Sequence, residues 1–259
     1  MLNWFSNLNY VYQALIATLF TYSITALGAS IVFFFKKISK NVMDAMLGFA
    51  AGVMTAASYF SLLGPAIDHA TTLNLNPWLT TTIGFLSGGL LLFLADKIFQ
   101  RKLTKKNKRI LMLISSITIH NIPEGLAVGV AFGSLSYNLT SSVLVSAFIF
   151  AIGIAVQNFP EGAAVSLPLR REGFTRKSAF FYGQLSGFVE PISGVIGAIL
   201  VLKISSILPF FLCFAAGAMV YVVVKELIPE SQLNNNKNMI TVFTLIGFLF
   251  MMLLDVCLG

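Results

Sequence analysis

His120-Asn121-Ile122-Pro123-Glu124-Gly125 recurs, with one polar and one apolar exchange, as Gln157-Asn158-Phe159-Pro160-Glu161-Gly162. Both copies lie inside long apolar runs. An ionisable side chain at the centre of a membrane helix costs about 2.5–3.5 kcal/mol on insertion scales. Two carboxylates, each one residue after a helix-bending proline, are hard to explain as packing. They predict a polar site in mid-membrane, and the ligand types point to a divalent metal ion.

The rest of the chain agrees with a membrane setting. Of its 259 residues, 57% are hydrophobic and only 10% charged, against about 25% charged in a soluble domain. The length suits one compact helical domain over 1–259. Cys213 and Cys257 stand alone in apolar runs, with no CxxC pair and no disulfide framework. The first residues are polar and aromatic without a basic run, so no cleavable signal peptide is expected. The net charge of +7 is gathered at span ends, which argues for a topology signal and lipid headgroup contact and against nucleic acid.

Runs long enough to cross a bilayer, about 17–25 residues each, fall at roughly 10–35, 42–64, 77–99, 110–133, 140–168, 177–202, 206–229 and 238–258. The sequence therefore predicts an all-α polytopic protein of eight transmembrane helices. The short gap Gly133–Thr140 makes the fourth and fifth spans a hairpin. Asn138-Leu139-Thr140 in that gap matches a glycosylation sequon but reads as turn chemistry. Lys36, Lys37 and Lys40 follow the first span. Lys97, Arg101, Lys102, Lys105, Lys106, Lys108 and Arg109 follow the third, and Arg170, Arg171, Arg176 and Lys177 the fifth. Lys225 and Lys237 flank the turn before the eighth span, while Lys203 lies on the other side. The positive-inside rule puts the basic loops in the cytoplasm and both termini outside.

A second repeat operates at larger scale. Phe49-Ala50-Ala51-Gly52-Val53-Met54 in the second span resembles Phe214-Ala215-Ala216-Gly217-Ala218-Met219 in the seventh, and each is followed by a proline, Pro65 and Pro229. With the orientation above, these spans run in opposite directions, as do the fourth and fifth. Similarity between oppositely oriented segments predicts an inverted repeat, spans 1–3 against 6–8 around the 4–5 hairpin, with a site near the midplane on broken helices. Gly125, Gly129 and Gly133, and the pairs Gly48/Gly52, Gly84/Gly88 and Gly183/Gly187, are expected at close helix contacts. Met54 and Met219 are expected to pack.

Residues four apart share a helix face, so His120 and Glu124 point the same way, as do Gln157 and Glu161. The proline bend swings Asn121 and Asn158 toward the same space, and the following glycine lets another backbone come close. Glu190-Pro191 in the sixth span repeats the carboxylate and proline in reversed order. Imidazole with carboxylate suits zinc, iron or manganese. With three glutamates, one carboxylate bridging two ions is feasible. Gln157, an amide, is a weaker ligand and could equally be an interhelical hydrogen bonder.

HNIPEG, QNFPEG and Ser186-Gly187-Phe188-Val189-Glu190-Pro191 together resemble the ZIP (Zrt/Irt-like) metal transporters, most of all the short bacterial GufA/ZupT-like branch. The resemblance covers essentially the whole chain. It implies uptake of divalent metal into the cytoplasm, chiefly zinc, with iron, manganese and cadmium as further cargo. It implies no cofactor and no enzymatic activity; the metal is the transported substrate. His120, Glu124, Gln157 and Glu161 look like the primary site. Asn121, Asn158, Glu190 and the shared glutamates look like the second. By this resemblance a bundle of spans 1, 4, 5 and 6 is expected to move against a scaffold of spans 2, 3, 7 and 8 in the plasma or inner membrane; the scaffold often dimerises in the family, which leaves a homodimer as one option here. Many relatives carry histidine where Gln157 stands, and many carry histidine where Lys225 precedes Glu226. Tight zinc selectivity and a metal site at the inner end are the features these departures touch.

Topology places the remaining acids. Asp68 and Asp255 fall on the outer side, where they could attract cations. Asp96, Glu226 and Glu230 fall near the inner side and could receive the ion, and Ser61 could line the path. An intramembrane metalloenzyme is the alternative, as is a metal-sensing membrane protein. An enzyme would need an open metal position and a general base; the HExxH pattern is missing, and two near-duplicate ligand sets favour relay over catalysis.

Overall fold

A computed structural model describes residues 2–35, 39–102, 108–136, 141–203, 205–232 and 236–258. The side chains of 108–117 and 119–120, His120 among them, lie outside the described residues, as do Lys36, Lys37, Lys105, Lys106 and the sequon at 138–140. Among the described residues every regular element is helical.

The eight expected spans all form. The first is Tyr10–Phe34, the second Lys40–Thr72, the third Pro77–Lys102 and the fourth Lys108–Ser134. The fifth is Ser141–Arg171, the sixth Arg176–Gly187 continued by Val189–Lys203, the seventh Leu208–Ser231 and the eighth Lys237–Leu258. Seven are long and apolar enough to cross a membrane among the described residues, and the fourth has 27 residues, enough for a bilayer. Asn9, Ser39 and Thr175 cap the first, second and sixth spans by accepting a backbone N–H, the usual role of such residues. A short helix, Leu2–Ser6, precedes the first span and was not expected. Its Phe5 packs on Phe132 and Phe148, and Gln13 Nε2 donates to the carbonyls of Ser6 and Leu8 at 3.4 and 3.0 Å. Cys213 and Cys257 are both free.

Interruptions fall elsewhere than expected. The fourth and fifth spans stay α-helical through Pro123 and Pro160. The break lies in the sixth span, at Phe188, which sets Glu190 in the first turn of the half-helix that follows. The helix dipole favours a carboxylate there. Two further irregularities are π-helical turns, Ser58–Leu63 in the second span and Val223–Leu227 in the seventh. Pro65 and Pro229 explain them. A proline has no N–H to give the carbonyl four residues back, here Ser61 and Lys225. The chain relaxes to i→i+5 bonds, from the Gly64 N–H to Tyr59 and from the Ile228 N–H to Val223.

Glycines decide the pairing. A Cβ on Gly52 would stand 2.0 Å from the Thr244 carbonyl oxygen, and one on Gly247 2.1 Å from that of Phe49. On Gly88 it would stand 1.9 Å from the Phe214 oxygen, and on Gly217 2.0 Å from that of Phe85. The second span thus interlocks with the eighth and the third with the seventh. The same device joins the first span to the fifth through Gly28 and Gly162, and the fourth to the sixth through Gly125, Gly129 and Gly197. The 2–8 and 3–7 pairs each join one span from either side of the 4–5 hairpin, while the 1–5 and 4–6 pairs tie each arm of the hairpin to a span outside it. Spans 1, 4, 5 and 6 form one bundle and 2, 3, 7 and 8 another, touching mainly through span 2 on span 5 and span 4 on span 7. Met54 and Met219 are wholly buried in the core.

Candidate metal centre

The motif residues meet inside the first bundle. Asn121 and Glu124 come from the fourth span, Gln157, Asn158 and Glu161 from the fifth, and Glu190 from the sixth. None is more than 1% exposed, so their polar atoms must be satisfied by one another or by a ligand. The glycine of each hexapeptide permits the close approach. A Cβ on Gly125 would meet the Glu190 carbonyl oxygen at 2.4 Å, and one on Gly162 the Thr25 oxygen at 2.0 Å.

A chain of hydrogen bonds runs through the site. Gln157 Nε2 donates to Glu124 Oε1 at 2.6 Å and to Asn158 Oδ1 at 3.1 Å. Asn158 Nδ2 donates to Glu190 Oε1 and Oε2 at 3.0 and 2.9 Å, and to the Thr21 carbonyl at 3.3 Å. Asn121 Nδ2 donates to the Ser186 carbonyl at 3.0 Å. Glu161 is near enough to Glu190 to act on it electrostatically. The two carboxylates Glu124 and Glu190, from spans that flank the fifth, are therefore joined by two side-chain amides.

Among the described residues, the buried oxygens Asn121 Oδ1 and Gln157 Oε1 accept no hydrogen bond. A buried acceptor without a partner costs about 1–3 kcal/mol. Two amide oxygens beside clustered carboxylates are donors for which an oxygen-seeking cation is a fitting partner. A half-turn of the Gln157 amide would exchange its N–H for its oxygen opposite Glu124. Among the described residues no three His, Cys, Asp or Glu side chains stand close enough to hold an ion by themselves. Amides make up half of the described motif donors, and the His120 side chain lies outside the described residues.

Two contributors escaped the sequence reading. Thr21 and Thr25 of the first span are wholly buried, and their hydroxyls reach Glu190 Oε2 and Oε1 at 2.5 and 3.3 Å. The signal was present: Ala14, Thr18, Thr21, Thr25 and Gly28 form one small and polar stripe at helical spacing. Asp44 of the second span, buried at 4% exposure, also went unweighed although it is the lone acid of its span's first half.

The pathway residues sit at the two ends of the second bundle. The Ser61 hydroxyl donates to Asp255 Oδ2, joining the π-turn of the second span to the end of the eighth. Asp68 is exposed nearby in sequence. At the opposite end Lys225, in the π-turn of the seventh span, forms an ion pair with Asp96 of the third. The Tyr221 hydroxyl stands 3.5 Å from the same Asp96 oxygen, and the Lys225 ammonium lies 5.6 Å from the Tyr221 ring centroid. Glu226 is half-buried and Glu230 exposed.

Comparison with known proteins matches this arrangement to one family. Residues 100–255 match the family described as ZIP Zinc transporter. The chain is 38% identical to the zinc transporter ZIP11 of Homo sapiens, covering 96% of this chain and 98% of the relative. It is 36% identical to the zinc transporter ZIPB of Bordetella bronchiseptica, over 92% of this chain and 79% of the relative. It is 33% identical to the zinc transporter GufA of Myxococcus xanthus, over 95% and 98%. These relatives carry the names of transporters, not of enzymes. A buried carboxylate and amide centre in a bundle of apolar spans, and similarity that runs nearly end to end, place the chain in the ZIP zinc transporter family.

Proposed function

We propose that this protein carries divalent metal, zinc foremost, across a membrane and into the cytoplasm. The ion passes through a binuclear centre built by His120, Asn121, Glu124, Gln157, Asn158, Glu161 and Glu190. One observation carries the reading: fully buried carboxylates from three spans are gathered with amide oxygens that have no hydrogen-bond donor among the described residues. The zinc transporter names of relatives similar over nearly the whole chain support zinc as the cargo. The basic loops support an orientation with both termini outside.

The amides give the centre a way to hold two carboxylates without an ion and to release them to one. Gln157 and Asn158 turn N–H groups toward Glu124 and Glu190. An arriving cation replaces those donors, and the amide of Gln157 rotates to offer its oxygen instead. Every named donor belongs to the bundle of spans 1, 4, 5 and 6, so a movement of that bundle carries the ion with it.

The packing supports such a movement. Glycine-to-carbonyl interlocks join spans within each bundle. Between the bundles, Gly153 of the fifth span faces the flexible Met251 side chain of the eighth, at 2.3 Å from a Cβ to its sulfur. A thioether adapts its shape where a backbone carbonyl cannot, so the interface between bundles is the one able to slip. Radiolabelled zinc uptake into proteoliposomes tests the reading, with iron, manganese and cadmium as competitors. Uptake above protein-free vesicles that is lost on Glu124→Ala is the expected result. Absence of uptake from a folded, reconstituted protein would overturn it.

A further inference from the structure

The first span carries no motif residue, yet it touches the centre most directly through its hydroxyls. Thr21 and Thr25 are wholly buried. A buried threonine in a helix can satisfy itself on its own backbone, as Thr18 does by donating to the Ala14 carbonyl at 2.7 Å. Thr21 has that option too, the Thr18 carbonyl at 3.0 Å, but Glu190 Oε2 stands closer, at 2.5 Å. A hydroxyl has one proton to give. A length of about 2.5–2.7 Å is that of a hydroxyl on a carboxylate, so the carboxylate is the partner. Thr25 faces the other oxygen, Oε1, at 3.3 Å, with its own helix carbonyl at 3.4 Å.

The surroundings are shaped for this reach. A Cβ on Gly187, just before the break in the sixth span, would stand 3.0 Å from the Thr25 Cβ and 3.1 Å from Glu190 Oε1. One on Gly194 would stand 2.5 Å from the Thr18 methyl. Small residues on the sixth span thus admit the threonine face of the first. With Asn158 donating from the fifth span, both oxygens of Glu190 are held from two sides.

We propose that Thr21 is a positioning residue of the metal centre, with Thr25 as its weaker partner: their hydroxyls fix the Glu190 carboxylate and through it the second cation position. This rests on the binuclear reading given above. Groups that orient a metal ligand typically contribute about 10- to 100-fold to metal affinity, and threonine to valine removes the hydroxyl while keeping the shape.

Zinc binding to the purified full chain in nanodiscs, by equilibrium dialysis with radiolabelled zinc, separates the possibilities. Wild type is expected to bind two zinc ions, and Glu190→Ala to lose the weaker. Thr21→Val should weaken that ion about 10- to 100-fold and leave the tighter one unchanged. Thr21→Ser should restore it, and Thr25→Val should show a smaller loss in the same ion. Unaltered affinities in Thr21→Val, whatever its melting temperature, would overturn the positioning role while leaving the binuclear centre standing. Should Thr21→Val not fold, unaltered affinities in Thr25→Val overturn the role in the same way. If wild type binds one zinc at most, or Glu190→Ala leaves both affinities intact, the binuclear reading fails and the role of Thr21 fails with it.

Discussion

Gly162→Ala tests whether the first and fifth spans meet as closely as the centre requires. The new Cβ would lie 2.0 Å from the Thr25 carbonyl oxygen and 2.7 Å from the Ala29 nitrogen. Real contacts of this kind begin near 3.0 Å, so the spans must part by about 1 Å. Both obstacles are backbone, and no rotamer change relieves them. The Asn158 bond to the Thr21 carbonyl, already 3.3 Å, would then pass beyond hydrogen-bond range. Glu190 would lose the alignment of the hydroxyls that hold it. Overpacking of this kind costs about 1–3 kcal/mol, and misplacement of a positioned group by about 1 Å can cost about 100-fold. Zinc uptake at subsaturating metal should fall at least roughly tenfold, with a lowered melting temperature in detergent. Gly89→Ala is the internal control. Its Cβ would meet its nearest neighbour, the Gly217 oxygen, at 3.6 Å, an ordinary contact. That variant should behave as wild type, with stability changed by no more than about 0.5 kcal/mol. If both variants transport alike, the spacing of the first and fifth spans is not what positions the site.

Glu124→Ala and Glu161→Ala should each abolish uptake at normal expression and a normal elution profile, and near-normal uptake in either would remove that carboxylate from the ligand set. Gln157→His should raise zinc affinity, because imidazole is a stronger zinc ligand than an amide, and the maximal rate should fall as release slows; equilibrium zinc binding unaltered by this change would show that residue 157 is no ligand. Lys225→Met breaks an ion pair whose side chains are 35% and 22% exposed, and such pairs contribute about 0–1 kcal/mol; a small shift in melting temperature is expected, and a loss of several kcal/mol would show that the pair holds the second bundle together.

The spans were legible because length and hydropathy set them directly, and the bilayer forbids most alternatives. The glycine pairs were legible as contacts, though not which spans they join. That depends on register between distant helices: Gly52 finds Thr244, and Gly88 finds Phe214. The carboxylates and amides of the centre announced themselves by their cost in an apolar run. The threonines did not, because a hydroxyl in a membrane helix can always bond its own backbone and carries little cost to notice. The helix break expected near the centre lies in the sixth span, and the hexapeptide helices run on through their prolines. Proline removes a single hydrogen bond, and a helix packed on both sides tolerates that loss. The sixth span yields instead at Gly187-Phe188, where Pro191 leaves the Gly187 carbonyl four residues back without its N–H donor.

The second bundle shows what the internal repeat does and what it leaves to the sequence. Ser58 begins a π-turn nine residues past Phe49, and Val223 begins one nine residues past Phe214. In each, the residue four before the proline reaches across to an acid near the end of the partner span: Ser61 to Asp255, and Lys225 to Asp96. The backbone device is the same at both ends. The side chains are not. At one end the acid accepts a neutral hydroxyl. At the other an ammonium ion already stands against it. A duplicated scaffold therefore presents unlike electrostatics at its two ends. The difference resides in an exchange between equivalent positions of the repeat, serine at 61 and lysine at 225, each of which meets an acid of the partner span.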